Sequence, residues 1–145
     1  MISARLWLNT LRKMIFAVDF DGTCVTHEYP NIGKNIGAEK VLRNLVKNGH
    51  KIILYTMRSH KPYDGRDLLE EAVRWFKWNE IELYGVNENP DQKEWTDSPK
   101  PIADIYIDDR ALGCPLKVED GRTVVDWSVI DNWFKQIGLI NTMIL

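Results

Sequence analysis

This 145-residue chain has few cysteines, no long apolar run and no large excess of either charge. It has two cysteines, Cys24 and Cys114, whose number and spacing fit neither a disulfide framework nor a zinc site. No apolar run approaches the roughly 20 residues that a membrane-spanning helix requires. The N-terminal segment also lacks the sustained apolar stretch and the cleavage site of a signal peptide. We therefore expect a cytoplasmic chain with free thiols and no membrane partner.

The charges are nearly balanced, with 19 Lys and Arg against 21 Asp and Glu. Such a balance gives no support to a nucleic-acid or membrane-surface partner. The apolar fraction of 44% and the charged fraction of 28% are ordinary for a globular protein, and the length suits one hydrophobic core. We predict a single domain over residues 1–145, with residues 1–13 as an N-terminal extension.

Short apolar runs alternate along the chain with segments whose apolar residues recur at helical spacing. Continuous apolar runs are typical of strands buried on both faces, whereas recurrence every three or four residues indicates a helix. This alternation predicts an α/β fold with a Rossmann-like parallel sheet flanked by helices. No segment is long enough to form a separate cap domain. The predicted strands span residues 15–18, 51–56, 82–86, 103–108 and 124–125, and the predicted helices span residues 38–46, 68–76 and 128–137.

Capping residues mark the starts of two predicted helices. Asp64 or Asp67 is expected near the start of the second helix. Ser128 with Asp131 resembles a capping box that opens the last helix. The apolar spacing of that last helix predicts five buried residues: Val129, Ile130, Trp133, Phe134 and Ile137.

The first predicted strand leads directly into two carboxylates. Residues 14–23 read MIFAVDFDGT, so Asp19 and Asp21 follow the apolar run and Gly22 permits a sharp turn. Ligands of parallel α/β sheets sit at the carboxyl ends of the strands. No Gly-x-Gly-x-x-Gly follows the strand, which argues against dinucleotide binding. A functional site is therefore predicted at Asp19 and Asp21.

Polar residues also flank two later strands: Thr56 ends the second, Asp108 and Asp109 end the fourth, and Lys100 lies just before the fourth. In this order the residues resemble the four motifs of the haloacid dehalogenase (HAD) superfamily, which are DxDGT, a Thr or Ser, a Lys and an acidic pair. The resemblance covers about residues 14–115. The stretch KPIADIYIDDRA is similar to cap-less members of that superfamily in particular.

The resemblance implies that strand four lies beside strand one, which would gather four carboxylates in one crevice. Two unit charges about 4 Å apart repel by roughly 4 kcal/mol at an effective dielectric constant near 20. The four therefore require a cation, and Mg²⁺ suits a site made only of oxygen ligands. The implied metal residues are Asp19, Asp21 (through its backbone carbonyl), Asp108 and Asp109.

The resemblance further implies a Mg²⁺-dependent phosphatase that hydrolyses a small phosphomonoester through an aspartyl phosphate. Asp19 would be the nucleophile, and Asp21 would protonate the leaving group and then deprotonate the attacking water. Thr56 would hydrogen-bond a phosphoryl oxygen, and Lys100 would hold the nucleophile and the phosphate by charge. Arg58 is interpreted either as a charge on the substrate side or as a solvated loop arginine. Neighbouring residues without motif support are expected to be structural or on the surface: Cys24, His27, His60, Arg110 and Cys114.

Asp21 favours a phosphatase over the haloacid dehalogenases, which lack this second aspartate, and over the P-type ATPases, which carry Thr there. Sugar phosphomutases share the aspartate but use a cap domain. Without a cap the site is open, which permits a large substrate or a cap from the partner subunit of a homo-oligomer. Two alternatives stay open: a phosphatase for nucleic-acid 3′-ends, whose cap-less branch has a similar IDDR element, and a non-catalytic HAD-like binding module.

Overall fold

The computed structural model describes residues 13–141 of the chain. Three α-helices, six strands and one short 3₁₀ turn follow each other in this range. The strands are β1 (Ile15–Val18), β2 (Lys51–Leu54), β3 (Gly85–Val86), β4 (Ile105–Ile107), β5 (Leu116–Glu119) and β6 (Arg122–Val125). The helices are α1 (Ala38–Lys47), α2 (Leu68–Trp78) and α3 (Trp127–Gln136), and the 3₁₀ turn spans Gln92–Glu94. None of the helices in this range has the length and apolarity needed to cross a membrane.

Four strands form a parallel sheet in the order β3-β2-β1-β4. Val18 at the end of β1 is in register with Leu54 of β2 on one side and with Ile107 of β4 on the other. The three longer strands therefore end at the same level, so the residues that follow them meet at one edge of the sheet. This arrangement confirms the predicted α/β, Rossmann-like fold with the fourth strand beside the first.

The core lies between the sheet and its helices. The apolar run of β1 is buried from Phe16 to Val18, which explains why it reads as a continuous hydrophobic segment. Helix α1 buries Ala38, Val41, Leu42 and Leu45, the face that its apolar spacing predicts. Asp67 caps α2 by accepting the Glu70 backbone N–H, which decides between the two candidates for that helix start.

Several element predictions made from the sequence were wrong in the second half of the chain. Strands β5 and β6 form an antiparallel hairpin, whereas only a short strand over residues 124–125 was predicted. Asp120 and Gly121 make its turn, both with positive φ (50° and 73°), as a two-residue type I′ connection requires. The third strand of the sheet is shorter than predicted and keeps only Gly85–Val86.

The start of α3 also differs from the prediction. Asp126, not Ser128, is its N-cap and accepts the Ser128 backbone N–H at 3.1 Å. Asp131 instead pairs with Lys135 at 2.7 Å, so the predicted capping box is absent. Of the five residues predicted as buried, Ile130 and Phe134 are, whereas Trp133 and Ile137 are exposed and Val129 is half-buried; Trp127 is the buried tryptophan of the helix. Of the predicted N-terminal extension over residues 1–13, residues 1–12 lie outside the described residues.

Candidate functional site

An open cleft of about 700 Å³ lies where β1, β2 and β4 end. It gathers the residues that follow these strands together with two residues of the loop after β1. Its lining residues are Asp19, Asp21, His27, Tyr29, Tyr55, Thr56, Met57, Asp108, Asp109 and Arg110. Five of the seven residues that the sequence predicts for the site therefore line one cleft, and Arg58 and Lys100 do not.

A tight turn after β1 sets the direction of the Asp19 side chain. The Asp19 backbone N–H donates to Ile107 O of β4 at 2.9 Å, and the Phe20 carbonyl accepts the N–H of Cys24 at 2.8 Å. Gly22 turns the chain with φ 81°, and a Cβ at this position would overlap the His27 imidazole. Glycine is therefore required here both by the backbone conformation and by the close approach of His27.

Three carboxylates converge in the cleft: single oxygen atoms of Asp19, Asp108 and Asp109 all lie within 4.8 Å of one another. The Thr23 hydroxyl lies 2.8 Å from Asp19 Oδ2 and 3.2 Å from Asp109 Oδ1, and it accepts the Asp109 backbone N–H at 3.0 Å. The backbone of Thr23 is itself fixed, because Trp127 Nε1 donates a hydrogen bond to the Thr23 carbonyl at 2.6 Å. The ends of β1 and β4 are thus locked together by one buried hydroxyl.

The surroundings of the cluster shift the pKa values of Asp19 and Asp109 in opposite directions. Burial raises the pKa of Asp19 from 3.8 to about 7, the charge on Asp108 adds to the rise, and the hydrogen bond from Thr23 opposes it. For Asp109, burial also acts to raise the pKa, but hydrogen bonds from His27 and Asp19 outweigh it and hold the pKa below its ordinary value. Asp19 is therefore the carboxyl whose ionised form is disfavoured until a cation arrives.

His27, predicted as a surface residue, lines the cleft and contacts the cluster. Its Nε2 lies 2.9 Å from Asp109 Oδ2, while its carbonyl accepts a hydrogen bond from the Arg122 guanidinium of β6. The imidazole fixes one oxygen of Asp109 and the Thr23 hydroxyl approaches the other. Because the two residues are 82 positions apart, no local sequence spacing points to this contact.

Asp21 lines the cleft but its carboxylate is bound to Arg58, at 2.8 Å from Nε to Oδ2 and 2.7 Å from Nη2 to Oδ1. The Arg58 side chain is fully buried, and its remaining N–H groups donate to three carbonyls, those of Pro30, Asn31 and Leu68. The interpretation of Arg58 as a solvated loop arginine was therefore wrong, and its guanidinium pairs with Asp21 outside the cleft lining. This two-bond contact, the Asp21–Arg58 fork, also explains why the Asp21 carboxylate is not part of the three-carboxylate cluster that could hold a metal ion.

The structure places the two remaining predicted residues differently. Thr56 lines the cleft; its hydroxyl accepts the Arg58 backbone N–H at 3.1 Å, and its own N–H donates to Asn87 Oδ1 at 2.8 Å. Lys100 is exposed and outside the lining, with Nζ 5.3 Å from the centroid of the Tyr106 ring. Buried Gln92 fixes this position of the loop by donating to the Lys100 carbonyl at 2.9 Å. The prediction that Lys100 lies at the site is thus not met.

Other residues near the motifs have structural contacts. Cys24 and Cys114 are free, as expected. The Cys24 thiol is buried beneath the site and donates to the Asp19 carbonyl at 3.3 Å, and burial raises its pKa well above the ordinary value. His60 pairs with Asp67 on the surface at 2.7 Å. Arg110, predicted as structural, lines the cleft instead.

The donor set of the cluster fits a small divalent cation. Three carboxylates supply only oxygen ligands, which Mg²⁺ prefers, and the open cleft leaves room for the waters that this ion retains. Burial, and to a smaller extent the charge on Asp108, raises the pKa of Asp19, and a bound cation would favour the ionised form of this carboxyl. Asp19, Asp108 and Asp109 are therefore the residues that could hold such an ion.

Comparisons with known proteins give one informative similarity. No protein-family model matches the chain, and no curated protein does. Among solved structures, the fold is similar to that of a conserved protein coded by a locus of Bacteroides thetaiotaomicron, with a TM-score of 0.68. The two sequences are 35% identical over 86% of this chain and 92% of that one. This chain belongs to the same family as that conserved Bacteroides thetaiotaomicron protein.

Proposed function

We propose that the protein is a cap-less, HAD-like phosphatase that hydrolyses a phosphomonoester with the help of Mg²⁺. The observation that carries the proposal is the meeting of Asp19 with Asp108 and Asp109, within 4.8 Å, at the carboxyl edge of a parallel sheet. Phosphoryl transfer needs mainly a positioned nucleophile and stabilisation of negative charge. A buried carboxylate beside an all-oxygen cation site meets both needs in an open cleft.

Asp19 is the nucleophile of the proposed reaction: its carboxylate attacks phosphorus, the P–O bond to the leaving alcohol breaks and an aspartyl phosphate forms. Water then hydrolyses this intermediate, which releases inorganic phosphate and restores Asp19. The Thr23 hydroxyl orients the attacking carboxylate through its 2.8 Å contact with Oδ2. Asp108 and Asp109, together with Asp19, would hold a Mg²⁺ ion, whose positive charge would offset the negative charge of the nucleophile and of the phosphoryl group. Thr56 supplies a hydroxyl in the same cleft for a phosphoryl oxygen.

Asp21 is the proposed general acid and base, and Arg58 constrains how it acts. Both Asp21 oxygens accept hydrogen bonds from the Arg58 fork, which matches the ionised carboxylate. To protonate a leaving group, Asp21 must first give up at least one of its hydrogen bonds with Arg58. Otherwise another proton donor must act as the general acid in place of Asp21. Lys100 contributes to phosphate binding in this proposal only if its loop moves from the Tyr106 ring.

The test is hydrolysis of an aryl phosphate by the full chain with Mg²⁺, with EDTA, and in the Asp19→Asn variant. Activity should require both the metal and Asp19. Asp97→Asn is a matched control, because Asp97 is exposed and outside the cleft lining. Activity that survives in Asp19→Asn and in EDTA would contradict the proposal.

A non-catalytic binding module is the second candidate, and the Asp21–Arg58 fork together with the position of Lys100 favours it. In such a module the cleft would bind a divalent cation and a phosphate-bearing ligand without turnover. Calorimetry separates the two candidates: Mg²⁺ binding that depends on Asp109, with no hydrolysis of any phosphomonoester, indicates the module. The nucleic-acid 3′-end phosphatase finds less support, since the lining combines four aspartates with Arg110 and His27.

A further inference from the structure

We infer that the leaving group accepted by this cleft is a nucleoside, so that the substrates are nucleoside monophosphates. The inference rests on the proposed phosphatase function and specifies its substrate class. It starts from the part of the cleft that the chemistry does not use. Tyr29, Tyr55 and Met57 line the cleft beside the aspartates and are 44%, 38% and 70% exposed.

Tyr29 is a supported ring and not a freely moving surface side chain. The buried guanidinium of Arg58 lies over the ring, with its central carbon 5.2 Å from the centroid. Tyr63 packs against the ring at 6.3 Å with the planes at 64°. Arg58 cannot shift easily, because five hydrogen bonds hold its guanidinium. The ring is therefore positioned before any ligand arrives.

Tyr55, which follows β2, is supported in a similar way by Tyr106 of β4. Its ring lies 6.4 Å from that of Tyr106. The Tyr106 hydroxyl donates to the Pro101 carbonyl at 2.8 Å and accepts the Ala103 N–H at 3.2 Å, which fixes that ring. Aromatic rings held in place bind flat ligands at a low cost in conformational entropy. Met57 adds a flexible apolar surface that can adapt to the ligand.

Charge and size narrow the class of leaving group. The three clustered carboxyls of Asp19, Asp108 and Asp109 disfavour a leaving group that carries further negative charge, such as a second phosphate. A small polyol would leave the two aromatic rings unused. The volume of about 700 Å³ lies within the range of clefts that bind drug-sized ligands. A nucleoside is neutral, fits this size and has a flat base, and stacking accepts any of the bases.

The test compares adenosine 5′-monophosphate with ribose 5-phosphate, using the full chain and Mg²⁺. Both substrates release the same kind of primary alcohol, so the ratio of their kcat/KM values measures what the base contributes. We expect the nucleotide to be favoured by about tenfold or more, the effect of stacking one base on an aromatic side chain. A ratio near one would overturn the inference while leaving the proposed phosphatase intact. If the protein hydrolyses neither adenosine 5′-monophosphate, nor ribose 5-phosphate, nor an aryl phosphate, the inference and the proposed phosphatase function are both refuted.

Variants then locate the preference. Tyr29→Leu and Tyr55→Leu should each lower the nucleotide-to-ribose ratio, whereas Tyr29→Phe should retain it because the ring remains. Trp78→Leu is the matched control, since Trp78 is 76% exposed on α2 and outside the cleft lining. Its ratio should equal that of the unmodified chain. A preference that persists in both leucine variants would overturn the assignment.

Discussion

Replacing Asp19 by asparagine should stabilise the metal-free protein, and the gain should grow with pH. Burial and the neighbouring Asp108 raise the pKa of Asp19 from 3.8 to about 7. Between these values the unfolded chain releases the proton while the folded chain keeps it, so the stability of the unmodified protein falls as pH rises. Above about pH 7 both states are ionised and the loss is complete.

The expected size follows from that window of about 3 pH units. Each unit corresponds to about 1.4 kcal/mol, so the ionised carboxylate costs the folded state about 4 kcal/mol at pH 8. Asparagine has the same shape and its carbonyl oxygen can still accept the hydrogen bond from Thr23. Asp19→Asn should therefore match the unmodified protein near pH 4 and exceed it by up to about 4 kcal/mol at pH 8.

Urea denaturation in EDTA at several pH values measures this difference directly. The exposed Asp97→Asn variant should show no comparable pH-dependent gain. Adding Mg²⁺ at pH 8 should then stabilise the unmodified protein, by about 2.7 kcal/mol at a hundredfold excess over Kd, and Asp19→Asn much less. A difference between Asp19→Asn and the unmodified protein that stays constant from pH 4 to pH 8 would refute the electrostatic reasoning.

Three further substitutions test the contacts around the cluster. Arg58→Met leaves the buried Asp21 carboxylate without its ion-pair partner and should lower the free energy of unfolding, measured by urea denaturation, by about 3–5 kcal/mol. The Arg58→Met/Asp21→Leu double variant should lose less stability than Arg58→Met. An equal or larger loss would contradict an unpaired charge as the cause. His27→Ala removes the group that orients Asp109 and should weaken Mg²⁺ binding by about 10- to 100-fold in calorimetry, with His27→Gln retaining more affinity; unchanged affinity in both would show that His27 does not position the ligand. Gly22→Ala combines a positive φ with overlap of His27 and should lower thermal stability and abolish Mg²⁺ binding together; normal binding would mean that the turn tolerates a side chain.

The parts of the fold that could be predicted are those whose signals are local. The apolar run before Asp19 is buried on both faces, and the faces of α1 and α2 follow the helical period, so these elements appear directly in the sequence. Strand β5 was missed because Leu116 and Val118 are exposed, whereas the buried pair Val124 and Val125 of β6 is the part that could be predicted as a strand. The Asp120–Gly121 pair was the available signal, since this dipeptide is typical of a tight hairpin turn.

In the candidate site, too, residues with a local signal could be predicted from the sequence and their long-range partners could not. Asp19, Asp108 and Asp109 could be predicted because parallel strands end at one edge of the sheet, so residues that follow the strands must meet. The partners of these residues could not. Arg58 reaches an aspartate 37 residues away and His27 one 82 residues away, and both contacts depend on how the loop after β1 folds. Tertiary packing, and no spacing in the sequence, decides such pairs.

Strand β6 and the start of helix α3 support the turn that carries Asp19. Trp127 Nε1 is bonded to the Thr23 carbonyl, and the Val125 backbone N–H donates to the Gly22 carbonyl at 3.2 Å. A fragment ending at Pro115 would hold every aspartate of the cluster yet lose both of these supports. During synthesis on a ribosome, the turn after β1 therefore gains these two supports only once β6 and the start of α3 have emerged. Transfer of this site to another scaffold would have to include β6 and the start of α3 as well as the motif residues.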